Sequence, residues 1–240
     1  SSSAHLLLFS NLLNEGKPLP LFYNVALHFG TALAILFYFR KDWVKMLKSL
    51  KSYPSQNKNQ KLLFNLIIGS IPAAVIGLSL KDFIEATFHN TLSIILPLGI
   101  VGILLWLTDY LHRGRKDLYK LTGLQALLIG LGQTCALIPG VSRSASTIIA
   151  CRLLNLTKMD AARFSFLLGT PVMMGAALLH VKDFYLNLNN PGLYVGFFSS
   201  FFVGLASIHF FLKLISRFGF FAFALYRVAL SLLLSKLYLF

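Results

Sequence analysis

Six apolar stretches of this sequence are each long enough to cross a lipid bilayer as a helix. A helix needs about 20 apolar residues to span the roughly 30 Å hydrocarbon layer. Hydrophobic residues make up 56% of the chain and charged residues only 12%, which excludes an ordinary soluble domain. We therefore predict an all-α integral membrane protein, with residues 1–240 as a single membrane domain. Its six transmembrane helices are predicted at residues 21–39, 62–80, 91–111, 164–181, 193–212 and 220–240.

A further apolar region is interrupted by the motif PGVSRSAST, at residues 139–147. Non-helical backbone is tolerated at membrane depth only where protein or a water-filled cavity satisfies its N–H and C=O groups. We predict two half-helices of a re-entrant hairpin, from 121–141 and 145–156. Pro139-Gly140 would end the first, and Ser142 or Ser144 would cap the second.

The chain also matches itself at three places in the same order. The matching pairs are SSSAH at 1–5 with SRSAS at 142–146, Gly30-Thr31 with Gly169-Thr170, and Gly69/Gly77 with Gly196/Gly204. This predicts two repeats, 1–111 and 112–240, each a re-entrant hairpin followed by three spans. Nothing before Ser1 corresponds to 121–141, so we expect that the first half-helix of repeat 1 is missing and that the complete protein is longer.

The distribution of basic residues provides an independent test of this topology. A unit with three spans must be inverted relative to its copy, and Lys and Arg accumulate in cytoplasmic loops. With loop 40–61 and its seven basic residues inside, the inside segments hold 15 Lys and Arg and the outside segments hold 4. This ratio agrees with inverted repeats. The net charge of +14 is thereby explained by topology, and we predict no nucleic-acid partner.

Arg143 is the residue whose position most needs a functional explanation. Broken helices of inverted repeats meet near the membrane midplane, and a helix N-terminus binds anions, phosphate in particular. A guanidinium adds charge and a fork that suits phosphate oxygens. We predict that Ser142, Arg143 and Ser144 bind a phosphoryl group, the alternative being a capped turn with a solvated arginine.

The first serine motif supplies hydroxyls and an imidazole at the mirrored position. Ser2, Ser3 and His5 are candidates for nucleophile, general acid or transition-state hydrogen-bond donors in phosphoryl transfer. Which of Ser2 and His5 attacks phosphorus stays open.

Three further polar residues lie inside apolar segments, where an ionisable or amide group is a functional candidate by default. His28 would line the site or serve helix packing, and Arg227 would serve the site or pair with a backbone carbonyl. Gln133 precedes the Pro-Gly break and is expected to line the cavity. The glycines of the two Gly-Thr pairs are expected to permit close helix packing.

At these residues the sequence resembles the undecaprenyl-diphosphatase family, the integral membrane type associated with bacitracin resistance. The matching pieces cover essentially the whole chain: SSSAHL, VALHFGT, PGVSRSAST, FSFLLGTPVMMGA and FALYR. The resemblance implies hydrolysis of undecaprenyl diphosphate to the monophosphate. That reaction recycles the lipid carrier of peptidoglycan synthesis at the bacterial inner membrane.

The resemblance also implies site residues and a cofactor. Ser2 and His5 match the family's serine and histidine in the first re-entrant loop, and Ser142, Arg143 and Ser144 match its diphosphate-binding loop. A divalent cation, Mg or Ca, is expected. The family's glutamate-rich stretch before the first serines has no counterpart, so the metal ligands are unknown and the 240-residue chain alone is expected to be inactive. A homodimer is an open alternative to a monomer.

Two other functions are alternatives to hydrolysis. Inverted repeats with broken helices are also a transporter architecture, so a lipid-phosphate transporter or flippase is the alternative; it would move lipid without releasing phosphate. A phosphatidic-acid-type phosphatase would need a nucleophilic histidine shortly after the Ser-Arg pair, and residues 144–152 contain none.

Overall fold

The fold is a bundle of α-helices, described here from a computed structural model. The description covers residues 2–13, 21–51, 57–80, 83, 86–88, 91–179 and 181–239. The helices in these ranges are α1 Ser2–Leu13, α2 Leu21–Tyr38, α3 Arg40–Ser49, α4 Lys58–Ser79, α5 Leu92–Leu111, α6 Gly123–Thr134, α7 Arg143–Leu153, α8 Lys158–Leu179, α9 Val181–Leu186, α10 Pro191–Phe218 and α11 Phe221–Leu239. Within them there is no β-strand, only an isolated bridge between Lys116 and Leu156.

Five of these helices are long and apolar enough to cross a membrane, namely α4, α5, α8, α10 and α11. A sixth span is formed if α2 and α3 are counted as one pair, which is bent by 67°. The prediction of an all-α membrane protein with about six spans is confirmed. Helix α10 has 28 residues and continues six residues past the predicted end of its span.

The interrupted apolar region forms two short helices, as predicted. Helix α6 is extended by a short 3-10 turn, Cys135–Leu137, and α7 begins four residues after Pro139. Gly140 has φ +88° and lies against the backbone of Ile94 in α5, where a Cβ would clash. A glycine is therefore required at the break, because it combines a left-handed backbone with a close helix contact.

Close packing at small residues joins the spans. A side chain on Gly30 of α2 would clash with the backbone oxygen of Phe197 and with Ser200 in α10. Gly130 of α6 lies against Gly69 of α4 in the same way. The packing role expected for the glycine of the first Gly-Thr pair is confirmed.

The neighbouring helices are those that a two-fold repeat would pair. Helix α2 packs on α10 and α4 packs on α8, while α2 contacts α8 and α5 contacts α11. These contacts are expected if α2 corresponds to α8, α4 to α10 and α5 to α11 in the two repeats. The inverted repeat itself stays a prediction, since topology relative to a membrane is needed to test it.

Residues 40–61 were treated as a loop in the sequence analysis, and that treatment was wrong for the first ten. Residues 40–49 form α3, which is anchored by an ion pair between Asp42 and Arg163 of α8. The many charged residues of this segment favoured a loop, but they belong to a helix that buries only Met46 and Ser49.

Candidate functional site

The candidate site is a cavity of about 220 Å³ at the start of α7. Helices α1, α5, α7, α10 and α11 each contribute to its wall. Its polar lining consists of His5, Ser142, Ser144, Tyr226 and Arg227. Its apolar lining consists of Leu98, Leu105, Ala145, Ile148, Phe211, Phe220, Phe223 and Leu230. Polar groups from three separate parts of the chain therefore converge in a mostly apolar space.

The N-terminus of α7 provides one wall of this cavity. Ser142 occupies the N-cap position, but its side chain makes no capping hydrogen bond, which differs from the predicted capping role. The Ser142 hydroxyl instead lies 3.3 Å from that of Ser144. The first N–H groups of a helix have no intrahelical acceptors. The cavity therefore meets the positive end of α7 beside two hydroxyl groups.

Ser142 has an unusual backbone conformation, with φ +71° and ψ +117°. Positive φ values of this kind are strained for residues other than glycine and cost on the order of 1–3 kcal/mol. Strain of this size persists only where the surrounding structure imposes it. Ser142 lies between the turn at Gly140 and the first turn of α7, and this strained residue lines the cavity.

Arg227 supports the break in the re-entrant hairpin. Its Nη2 atom donates to the backbone oxygens of Gly140 and Val141, both at 3.1 Å. The side chain is buried, and its Nε atom has no hydrogen-bond partner among the described residues. The predicted pairing with backbone carbonyls is thus observed, and Arg227 also lines the cavity, while its service to the site stays a prediction.

His5 is held by a residue that the sequence analysis missed. The His5 Nε2 atom lies 2.7 Å from the Tyr226 hydroxyl, and the two rings stack at 5.8 Å between centroids. Tyr226 lies in the segment FALYR, and the sequence predicted no role for it. The only available signal was its position directly before Arg227, which does not by itself indicate a site.

Arg143 lies on a different side of α7 from the two serines. Its Nη1 atom donates to the backbone oxygen of Ser165 at 3.2 Å. The guanidinium occupies the space that a side chain at Gly169 would fill. Thr147, one turn along α7, bonds to the Ser165 hydroxyl at 2.5 Å. The glycine of the second Gly-Thr pair thus makes room for Arg143 on α8, and the guanidinium is not part of the cavity lining.

The remaining predicted site residues do not meet at this cavity. Ser2 is exposed at the start of α1, and His28 is exposed on α2. Gln133 is buried on α6, and its amide has no hydrogen-bond partner among the described residues. The side chain of Ser3 lies outside the described residues.

Side chains that could bind a metal ion do not cluster in the described part of the chain. No three His, Cys, Asp or Glu side chains come together among the described residues. A Ca²⁺ cage made by protein alone needs several oxygen ligands, whereas Mg²⁺ is commonly held by one or two carboxylates together with substrate phosphates. The described residues therefore form no protein-only cation cage, and the expected divalent cation stays a prediction.

Arg152, near the end of α7, is a third arginine in an apolar segment. It is fully buried, donates to the backbone oxygens of Leu156 and His112, and lies 3.5 Å from Asp109. The other oxygen of Asp109 accepts from Lys158 at 2.9 Å and from the N–H of Phe220 at 3.0 Å. This network joins the ends of α5 and α7 to the starts of α8 and α11.

The fold and the cavity define a class of multi-pass helical membrane proteins. In this class a short helix after a break in an apolar region presents its N-terminus to a cavity lined by polar and apolar side chains. The model of one protein family, described as bacitracin resistance protein BacA, matches residues 1–233. This match covers nearly all of the 240 residues. The chain belongs to the BacA family, and the resemblance drawn from its motifs is confirmed.

Proposed function

We propose that the protein hydrolyses undecaprenyl diphosphate to undecaprenyl phosphate and inorganic phosphate in the bacterial inner membrane. The observation that carries the proposal is the convergence of His5, Ser142, Ser144 and Arg227 on one apolar cavity in a member of the BacA family. The monophosphate is the form of the lipid carrier that enters a new round of cell-wall synthesis.

The polar end of the cavity suits a diphosphate headgroup. The free N–H groups of α7 and its dipole favour anions, and the hydroxyls of Ser142 and Ser144 can donate to phosphate oxygens. The guanidinium of Arg227, a residue of the cavity lining, adds positive charge. Because these donors are held by the backbone and by helix packing, they need little reorganisation when charge develops in the transition state.

The apolar lining suits the rest of the lipid. Four of its side chains are Leu or Ile, three are Phe and one is Ala. An isoprenyl chain has no polar group to satisfy, so such a surface accommodates it without desolvation of protein donors. The cavity thus offers polar groups to the headgroup and apolar side chains to the adjoining part of the lipid chain, whose remainder would stay in the membrane.

In the proposed reaction, water attacks the terminal phosphorus, and the anhydride bond to the lipid-bearing phosphate breaks. His5 accepts the proton of the attacking water, and the Tyr226 hydroxyl orients the imidazole through the bond to Nε2. The helix N-terminus and Arg227 stabilise the charge on the equatorial oxygens. The products are inorganic phosphate and the lipid monophosphate.

Arg143 contributes its positive charge from behind the two serines in this proposal. It lies between them in sequence, and its guanidinium is held on α8 by Ser165. Arg143 is the first residue of α7, and in a region of low dielectric its charge lowers the energy of an anion at that N-terminus.

The test is release of phosphate from polyprenyl diphosphate by the full translation product of the gene in proteoliposomes. We expect His5→Ala to lower kcat by about 100-fold or more, which is the size of a general acid-base contribution. Arg143→Ala should lower kcat less, by about tenfold, because its guanidinium lies outside the cavity lining. The matched control is Arg217→Ala, an exposed arginine at the end of α10, which should retain activity.

The same proteoliposomes distinguish hydrolysis from transport. Movement of the lipid across the bilayer without any phosphate release would replace this proposal by the transporter alternative. Repeating the assay with EDTA tests the cation requirement that the family resemblance implies. Equal phosphate release by the parent protein and by both site variants would remove His5 and Arg143 from the mechanism.

A further inference from the structure

Helix α3 has a position that the hydrolytic cavity does not explain. It follows the apolar helix α2 after a single residue and departs from it by 67°. If α2 crosses the membrane, α3 runs close to the membrane plane at the level of the headgroups. None of its residues lines the cavity, so its surface must be explained separately.

One face of α3 attaches it to the bundle. Residues three or four apart lie on the same face of a helix, and Asp42, Met46 and Ser49 follow this spacing. Met46 and Ser49 are buried, and Asp42 pairs with Arg163 of α8. This anchoring fixes the orientation of the other two faces.

A second face is apolar and unpartnered. Val44 and Leu47 of α3 and Leu50, the residue that follows it, recur every three residues and are 47%, 55% and 50% exposed. The partly buried Trp43 borders this face. Exposed apolar side chains on a helix that lies in the membrane plane are accommodated by the acyl chains just below the headgroups.

A third face is cationic. Lys41, Lys45 and Lys48 are exposed, again at intervals of four and three. None of them forms an ion pair with a described residue. The acidic residue in α3, Asp42, belongs to the anchored face and is already paired. Three ammonium groups with no ion-pair partner in the described part of the chain therefore share one side of an anchored helix.

We propose that α3 is an interfacial helix that binds anionic phospholipids. The apolar face of Val44, Leu47 and Leu50 enters the acyl region, and the three lysines bind the phosphate groups of anionic lipids beside it. An amphipathic helix with this division of faces gains both from buried apolar area and from attraction to anionic headgroups. The partner is a lipid surface, and this binding does not depend on the proposed hydrolysis.

Tryptophan fluorescence can test this proposal without an added label. Of the chain's two tryptophans, Trp43 lies in α3 and Trp106 in α5, so Trp106→Phe leaves α3 as the single source of tryptophan fluorescence. This protein is reconstituted with brominated phosphatidylglycerol or with brominated phosphatidylcholine of the same acyl chains. Because only the headgroup charge differs, a difference in quenching reports preference for the anionic lipid at α3.

We expect quenching by the anionic lipid to indicate a preference of about fivefold or more, given the attraction of several lysines to an anionic surface. Lys41→Gln, Lys45→Gln and Lys48→Gln together should abolish the preference, and the corresponding Arg substitutions should retain it. The matched control, Arg113→Gln, Arg115→Gln and Lys120→Gln, removes the same charge from exposed positions of loop 112–120 and should leave the preference intact.

Three outcomes would overturn the proposal. They are equal quenching by the two lipids in the parent protein, an unchanged preference in the triple Gln variant, and loss of the preference in the loop control as well. The last outcome would assign the effect to net charge rather than to α3. The Arg variant ensures that a loss in the Gln variant is not mistaken for unfolding.

Discussion

The Nε2 atom of His5 lies 2.7 Å from the hydroxyl of Tyr226, a residue 221 positions further along the chain. This contact joins the first serine motif to the last helix. Since the next residue, Arg227, holds the carbonyls of Gly140 and Val141, α11 connects the two serine motifs. The candidate site therefore depends on one helix that neither motif includes.

Tyr226→Phe removes this hydrogen bond without changing the ring packing. If the imidazole becomes charged during the reaction, the lost bond should raise the barrier by about 1.5 kcal/mol or more and lower kcat about tenfold. Phosphate release at saturating lipid is the measurement. Tyr110→Phe, at a 74% exposed position of α5, is the control, and an unchanged kcat in Tyr226→Phe would show that His5 does not need this partner.

Ser142 combines a strained backbone with a hydroxyl in the cavity, and two substitutions separate these features. Ser142→Gly should raise stability by about 1 kcal/mol because glycine accepts φ +71° without strain, while Ser142→Ala should not. Both should lose activity together with the hydroxyl. Thermal unfolding and phosphate release are measured in parallel.

The matched control for Ser142 is Asn155, which has the same φ of +71° and is exposed away from the cavity. Asn155→Gly should leave activity unchanged. Full activity in Ser142→Gly would mean that the hydroxyl has no part in the reaction.

Gly169 provides the space in which the guanidinium of Arg143 lies. Gly169→Ala should displace that side chain and lower kcat nearly as much as Arg143→Ala, because a Cβ would overlap the guanidinium. The double variant should be no worse than either single one, since the two changes remove the same arrangement.

Gly175→Ala, on the same helix with nothing near the added Cβ, is the control for Gly169. Full additivity in the double variant would indicate that Gly169 acts independently of Arg143. The measurement is kcat for phosphate release by all four variants under one set of conditions.

Asp109 is the acidic partner of the fully buried Arg152. Asp109→Asn should destabilise the protein by about 3–5 kcal/mol, because it leaves a buried charge without its counter-charge. Lys158→Met removes the exposed partner of the same carboxylate and should cost no more than about 1 kcal/mol. Urea or thermal unfolding in detergent measures both, and similar losses in the two variants would contradict the assignment of the ion pair to Arg152.

Much of the site could be predicted because its residues stand out locally. Ser142, Ser144 and His5 belong to motifs with helix-breaking or polar residues in apolar surroundings, and the structure brings them to one cavity. Tyr226 carries no such signal, since a tyrosine in the first turns of an apolar helix is ordinary. Arg143 was predicted to bind a phosphoryl group because it is an arginine in an apolar region. The direction of its side chain depends on Gly169, which lies 26 residues away in another helix.

The positions of the membrane helices and of the break at Pro139-Gly140 were determined by the sequence itself, because transfer of a segment into hydrocarbon depends on its own side chains. The composition of the cavity was decided only by the tertiary structure. Packing of α1, α7 and α11 brings together residues that are far apart in the chain, and a glycine on α8 directs Arg143 away from them. Local hydrophobicity carries no record of such contacts, which arise when side chains of different helices compete for the same space.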